Sequence, residues 1–204
     1  MIALIDYGAG NLTSVRKALT AIGASPVTPS RPDALDAAAG IVVPGVGHFG
    51  STAQIDAAWR DALKSSMARG AAVLGICVGL QWMFDGSSES PETPGLGLFS
   101  GQCRHLATSS VAGAASALKV PHVGWNSLDV RRESALLDGI ETGDQVYFTH
   151  SYAAPLVTET VASTTYGWPF SAVVQRDRIA AVQFHPEKSG DVGLRLLRNW
   201  YRAV

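Results

Sequence analysis

Along the first half of the chain, apolar residues follow two alternating rhythms. Short continuous runs at 2–5, 41–43 and 72–76 are each followed by a stretch in which apolar positions recur every three or four residues. Leu12, Val15, Leu19 and Ile22 share one helical face ending at Gly23; Ile55, Trp59, Ala62 and Leu63 share another before Gly70; a third apolar helical segment covers 80–84. The short runs predict buried strands and the periodic stretches helices, and repetition of that βα unit predicts a parallel sheet covered by helices. From position 146 the rhythm changes. Runs at 146–148, 161–165, 172–175 and 179–184 predict strands joined by turns, with Arg176-Asp177-Arg178 closing a hairpin between the last two. A final helix carries Leu194, Leu197 and Tyr201 on one face and Arg195, Arg198 and Arg202 away from it, with Asp191 as its expected cap. Segments 86–95 and 107–117 are rich in Ser, Gly, Pro and Ala without periodicity, which predicts mobile loops. The first of them follows the third helix closely enough to overhang a site.

The 204 residues are 47% hydrophobic, and no Pro/Gly/Ser linker interrupts them, so one compact α/β domain spanning 1–204 is expected. Sixteen basic and seventeen acidic residues, spread without blocks, leave no footprint for nucleic acid and no cationic helix for a membrane surface. The start, Met1-Ile2-Ala3-Leu4-Ile5-Asp6, has neither a basic leader nor a membrane-length apolar run, so a cytoplasmic protein is expected. Cys77 and Cys103 are the only cysteines, with no disulfide framework and no cysteine zinc spacing between them. His48, His105 and His122 lack metal spacing as well, so no metal and no cofactor is expected.

The densest chemical signal is Gly75-Ile76-Cys77-Val78-Gly79-Leu80-Gln81, where a strand turns sharply into a helix. Glycines permit that turn, and a helix N-terminus facing the sulfur favours thiolate over thiol. Far downstream, Gln183-Phe184-His185-Pro186-Glu187-Lys188-Ser189 supplies an imidazole and a carboxylate. In an extended segment His185 and Glu187 project to the same side, so the carboxylate can orient the ring toward Cys77 as base and proton donor. Val43-Pro44-Gly45-Val46-Gly47 follows another expected parallel strand, and its N–H groups, with that of Val78 after the cysteine, are the expected oxyanion donors. Tyr7-Gly8-Ala9-Gly10-Asn11 invites comparison with a dinucleotide fingerprint but has Thr13 where the third glycine belongs. Cys103 lacks an elbow and is expected to be structural, and His150 to brace its strand.

In this order, six segments resemble the class I, triad-type glutamine amidotransferases, and within them the glutaminase subunits of imidazole glycerol phosphate synthases. They are Ile5-Asp6-Tyr7-Gly8-Ala9-Gly10-Asn11-Leu12, Pro44-Gly45-Val46-Gly47, Gly75 to Gln81, His122-Val123-Gly124-Trp125-Asn126, Phe148-Thr149-His150-Ser151-Tyr152 and Gln183 to Ser189. The resemblance implies a flavodoxin-like sandwich with a mostly parallel central sheet and antiparallel C-terminal strands. It implies Cys77 as nucleophile, His185 as general acid/base and Glu187 as its orienter, with L-glutamine as substrate. The side-chain amide of glutamine would lie against Gly47 and Val78, with Val46 completing the oxyanion hole. Gln81, Glu89, Ser151 and Tyr152 would hold its amino-acid end. Ammonia would pass to a (β/α)₈-barrel cyclase subunit in a heterodimer serving histidine biosynthesis, and Asn11, Trp125, Tyr147 and Lys188 would lie at that interface.

Two other readings compete with this one. A flavodoxin-like regulatory module would use the same glycine loops with an inert Cys77, and a glutaminase serving another synthase, such as that for pyridoxal phosphate, would share the triad. An α/β-hydrolase is disfavoured because its acid precedes its histidine in the chain, whereas Glu187 follows His185.

Overall fold

The computed structural model describes residues 1–109 and 118–204. Its strands are β1 (Ile2–Leu4), β2 (Pro26–Val27), β3 (Gly40–Val43), β4 (Ala72–Ile76), β5 (Gly86–Ser87), β6 (Gln102–His105), β7 (His122–Ser127), β8 (Asp129–Val130), β9 (Gln145–His150), β10 (Tyr152–Ala153), β11 (Thr160–Tyr166), β12 (Trp168–Arg176) and β13 (Ile179–Val182). The helices are α1 (Leu12–Ala21), α2 (Ala57–Ala68), α3 (Val78–Met83) and α4 (Gly190–Arg202).

Eight strands form the main sheet in the order β2-β1-β3-β4-β13-β12-β11-β8. The first five pair in parallel, and β12, β11 and β8 continue the sheet antiparallel. The expected mostly parallel sheet with antiparallel C-terminal strands is what forms. Two satellites accompany it, the three-stranded β10-β6-β5 and the β7–β9 ribbon.

Because successive side chains of a strand point to opposite faces, each apolar run feeds two cores. Ile2, Leu4, Val42, Leu74, Ile76 and Val182 join α1, α4 and the β7–β9 ribbon on one side. Ala3, Ile41, Val43, Val73 and Ala181 join Leu63 of α2 and Leu80 and Met83 of α3 on the other. This is why the central strands read as unbroken apolar runs instead of alternating ones.

Several local expectations are corrected. Ile55 precedes α2 instead of lying on it, and Asp56 is the cap, accepting from Trp59 N at 3.1 Å. The cap residue of α4 is Ser189, so Asp191 sits inside the first turn. The buried face of α4 runs through Leu196, Leu197 and Trp200, with Leu194 and Tyr201 only partly covered, because the sheet and the Ala135–Leu137 turn meet the helix about one position round from the expected stripe. Segment 86–95 is held in place: β5 pairs with β6, Gly86 bridges Pro94, and Gly95 packs against the carbonyl of Phe84. The loop expected at 107–117 lies outside the described residues except for its first positions, which complete the turn Leu106–Ser109. The hairpin forms as expected, with Asp177 in the left-handed region at φ 53°.

Packing is very tight at the top of the parallel strands, where α3 sits directly on the end of β3. A Cβ on Gly79 would stand 2.0 Å from the carbonyl oxygen of Val43. Gly79→Ala is therefore expected to push α3 off the sheet and cost about 1–3 kcal/mol or more, typical of overpacking. A lowered urea midpoint checks this, and an unchanged midpoint would contradict the contact.

Candidate active site

Cys77 is the first residue beyond β4, and it adopts φ 55°, ψ −106°, a conformation that L-residues rarely take. Strain of about 1–3 kcal/mol persists only where neighbours over-determine it. Here the Cys77 N–H donates to Val182 O at 2.8 Å, and the Cys77 carbonyl accepts from Gln81 N at 3.1 Å to begin α3. The result is a strand-to-helix elbow with the sulfur at its apex, as the glycine spacing predicted. The glycines serve close approach as much as flexibility: a Cβ on Gly75 would lie 2.8 Å from the Gly79 carbonyl oxygen.

His185 arrives from β13. Parallel pairing of Ile76 with Val182 places the residues that follow each strand side by side. The expectation of a continuous extended segment is corrected: His185 is extended at φ −99°, ψ 97°, but Pro186–Lys188 curls into a 3-10 turn. The turn brings Glu187 back to the edge of the ring, and Glu187 Oε1 lies 2.8 Å from His185 Nδ1 with both side chains about 1% exposed. Backbone and hydroxyl bonds anchor it, since His185 N donates to Tyr147 O at 2.9 Å and Ser189 Oγ donates to His185 O at 2.7 Å. The remaining ring nitrogen, Nε2, is buried without a hydrogen-bond partner. Burial works against charge on this ring, but Cys77 and Glu187 outweigh it and push His185 up to about 10.

Cys77 and His185 line one cavity of about 230 Å³. That is smaller than the roughly 300–1,000 Å³ of drug-sized sites, so it suits a compact ligand. Val46, Gly47 and Val78 line it too, with Gly47 in the left-handed region at φ 87°. So do Gln81, Glu89, Ser151 and Tyr152. Glu89 also accepts from Phe49 N at 2.8 Å, which ties segment 86–95 to the loop after β3. A larger cavity of about 810 Å³ lies between the Ala135–Leu137 turn and the end of α4, and contains none of the expected site residues.

Sequence reasoning gave no role to three groups beside the sulfur. Thr149 offers its carbonyl to Cys77 Sγ at 4.0 Å. Tyr7 is buried beneath the 43–47 loop, where a Cβ on Gly45 would come within 2.6 Å of its hydroxyl, and burial followed by Cys77 raises its phenol above the ordinary range. Gln183 donates from Nε2 to the sulfur at 3.7 Å. The only linear signal for Gln183 was its place in the Gln183-to-Ser189 motif.

His150 braces its strand as expected, through a directed chain. The Tyr152 carbonyl can only accept, so His150 Nδ1 donates to it at 2.8 Å. His150 Nε2 then accepts from His122 Nδ1 at 3.1 Å, and His122 Nε2 accepts from Asn126 Nδ2 at 3.2 Å. Burial holds both rings neutral, His122 at about 4 and His150 at about 3.

The residues expected at an interface divide into two groups. Trp125 is 56% exposed and meets the ring of Tyr147 edge-on at 6.1 Å, while Lys188 Nζ lies 5.8 Å over that same ring. Asn11 instead caps α1, its Oδ1 accepting from Ser14 N at 3.3 Å, and α1 contacts the Pro186–Lys188 turn.

A family model described as glutamine amidotransferase class-I matches residues 3–204. The chain belongs to the class-I glutamine amidotransferases. Two curated relatives bear the name imidazole glycerol phosphate synthase subunit HisH. The one from Methanothermobacter thermautotrophicus is 43% identical, with 100% of this chain and 99% of the relative covered. The one from Thermococcus kodakarensis is 44% identical, with 99% and 100% covered. Among solved structures, a glutamine amidotransferase superposes with TM-score 0.74 at 17% identity, covering 100% of this chain and 98% of the other. PurLQS from Thermotoga maritima gives 0.73 at 17% identity, covering 98% and 97%. At that identity these two establish the fold alone. As an amidotransferase, the chain shows among its described residues no cluster of three or more His, Cys, Asp or Glu placed to hold a metal, and no helix long and apolar enough to cross a membrane.

The buried imidazoles set opposite pH windows. His122 and His150 titrate below the ordinary 6.5, so as pH falls from 6.5 toward 4 the unfolded chain takes up protons that the folded chain refuses. Stability then drops by up to about 1.4 kcal/mol per pH unit for each ring. His185 titrates above 6.5, so its contribution is complete below 6.5 and is lost as pH rises toward about 10. Urea midpoints are therefore expected to peak near pH 6.5–7. Ring signals of His122 and His150 titrating near 6.5 would refute the first window.

Proposed function

We infer that this chain is a glutaminase subunit that hydrolyses L-glutamine to glutamate and supplies ammonia to an imidazole glycerol phosphate synthase. The observation that carries this is the shared cavity of the Cys77 elbow and the Glu187-braced His185, in a chain that matches the HisH relatives from end to end. Residues 1–204 act as a single amidotransferase domain.

In this reading glutamine places its side-chain carbonyl against Val46, Gly47 and Val78, and its amino-acid end among Gln81, Glu89, Ser151 and Tyr152. The Cys77 thiolate attacks the amide carbon, and backbone N–H groups hold the oxyanion, each worth about 2.7–4 kcal/mol in the transition state. His185, protonated at Nε2 and steadied by Glu187, gives its proton to the leaving ammonia. A thioester remains on Cys77. His185, now neutral, removes a proton from water, which attacks the thioester and releases glutamate and the thiolate. The charge on Glu187 favours the imidazolium at both stages.

Ammonia made here has to reach an acceptor without being protonated in bulk water. A (β/α)₈-barrel cyclase subunit seated over Trp125, Tyr147 and Lys188, with Asn11 nearby, meets that need in a cytoplasmic heterodimer. These residues fit the role because the patch is an exposed aromatic and cationic surface joined by a backbone hydrogen bond to the His185 turn: the Tyr147 carbonyl accepts from His185 N. The ammonia is incorporated into imidazole glycerol phosphate, with release of an aminoimidazole carboxamide ribotide.

Three outcomes test this reading. With purified barrel subunit and its ribonucleotide substrate present, Cys77→Ala is expected to reduce glutamine-dependent ammonia transfer by about 10⁴-fold or more while still capturing the partner. Transfer surviving in that variant would refute the nucleophile. A glutamine-mimicking diazo ketone is expected to add once, at Cys77, by intact mass and peptide mapping; an unmodified chain would favour a regulatory module. The isolated chain is expected to turn glutamine over poorly until the partner and its ligand arrive, and full turnover alone would contradict that.

A further inference from the structure

The His–Glu pair acts on one side of Cys77, and the structure places a second, unassigned polar group against the sulfur. Gln183 is fully buried, and its side-chain Nε2 points at Cys77 Sγ from 3.7 Å. Its position follows from the sheet, since Gln183 is the first residue beyond β13 and its backbone N–H still donates to Ala172 O on β12 at 2.9 Å.

Which end of the amide faces the sulfur is fixed by partners, not by its shape. The Tyr152 carbonyl can only accept, and Gln81 approaches it at 2.8 Å, so the Gln81 atom there is the Nε2 donor. That same nitrogen lies 3.2 Å from the Gln183 side chain, so the Gln183 atom facing it must be the acceptor Oε1. The NH₂ end of Gln183 is then the end turned to Cys77. A flipped amide would set two donors against each other and present an oxygen lone pair to the sulfur. The other hydrogen-bond arms of this network agree, because His150 Nδ1 also donates to the Tyr152 carbonyl.

We propose that Gln183 acts directly on the reacting sulfur: locked in one orientation by Gln81 and the Tyr152 carbonyl, its amide N–H donates to Cys77 Sγ and stabilises the thiolate before attack and on its release from the thioester. A hydrogen bond to a charged acceptor is worth more than one to its neutral form, and burial strengthens that difference. While the sulfur carries a proton, the Thr149 carbonyl is the group placed to accept it, at 4.0 Å. Removal of that proton to His185 leaves Gln183 as an N–H donor already aimed at the charge. Gln183 therefore separates two tasks: His185 moves the proton, and Gln183 holds the anion. The assignment rests on Cys77 being the glutaminase nucleophile.

The test is the pH dependence of Cys77 alkylation by iodoacetamide in the full-length chain, mapped by peptide mass so that Cys103 is scored separately. Gln183→Met and Gln183→Leu keep a side chain of similar bulk and remove the donor. In both, the rate-versus-pH curve is expected to move up by about one pH unit, with alkylation near neutrality slowed about tenfold and converging on the wild-type rate at high pH. A merely structural glutamine would lower the melting temperature and leave the curve where it was, and that outcome in either folded variant overturns the proposal. With the barrel subunit present, glutamine turnover should fall in kcat with little change in KM, since Gln183 meets the sulfur and not the substrate. A rise confined to KM also overturns it. If wild-type chain with its partner fails to hydrolyse glutamine, the glutaminase reading is lost, while the alkylation curves still report on the Gln183–sulfur contact.

Discussion

The parallel pairing of β4 with β13 is the constraint on which the site depends. Its register, Val73 with Ile179 through Ile76 with Val182, brings together segments more than a hundred residues apart in the chain. One step beyond the paired ends, Cys77 N still donates to Val182 O, so the elbow and the strand that delivers Gln183 and His185 are one hydrogen-bonded unit. A shift of a single residue would exchange the side chains that β13 presents to its two cores and carry His185 away from Cys77. Burial of Val182 and Ala181 in opposite cores prevents that shift. Packing energy spent on the sheet thus also fixes where Cys77 and His185 stand relative to each other.

Around that pair, the site is built from groups that have no solvent to fall back on. The Cys77 elbow is strained, the His185–Glu187 pair is sealed, and Gln81, Gln183, His122 and His150 are all buried. In a low-dielectric setting each polar group must find a specific partner, and one carbonyl, that of Tyr152, sets the direction of most of them. Because that carbonyl can only accept, the tautomers of two histidines and the orientation of two glutamine amides follow without freedom. Such a network holds the sulfur's surroundings in one arrangement, which is the preorganisation that oxyanion and thiolate chemistry demands.

The same economy links the site to the surface. Tyr147 spends its backbone on the His185–Ser189 turn and its ring on Trp125 and Lys188. Pressure on that ring would therefore bear on the turn that carries His185.

The hydrophobic rhythm alone determined the βα order, the parallel half of the sheet and the change to antiparallel strands, because buried strands and amphipathic helices leave different periods in the sequence. The elbow and the histidine–glutamate pair were equally legible, since their chemistry is local: glycines about a cysteine, and a carboxylate two residues from an imidazole. Failures came where the decision was not local. Glu187 reaches His185 through a 3-10 turn and not along an extended strand, because Tyr147 and Ser189 pull that backbone round. Segment 86–95 looks like a loose loop by composition, yet β6 and the Phe49 N–H hold it. Gln183 stood in plain view within a motif, but nothing linear says that its amide faces a sulfur 106 positions away. Only the folded chain brings Gln81 of α3, Tyr152 of β10 and Gln183 at the end of β13 together, and only then do the fixed donor and acceptor roles of their atoms leave one orientation for that side chain.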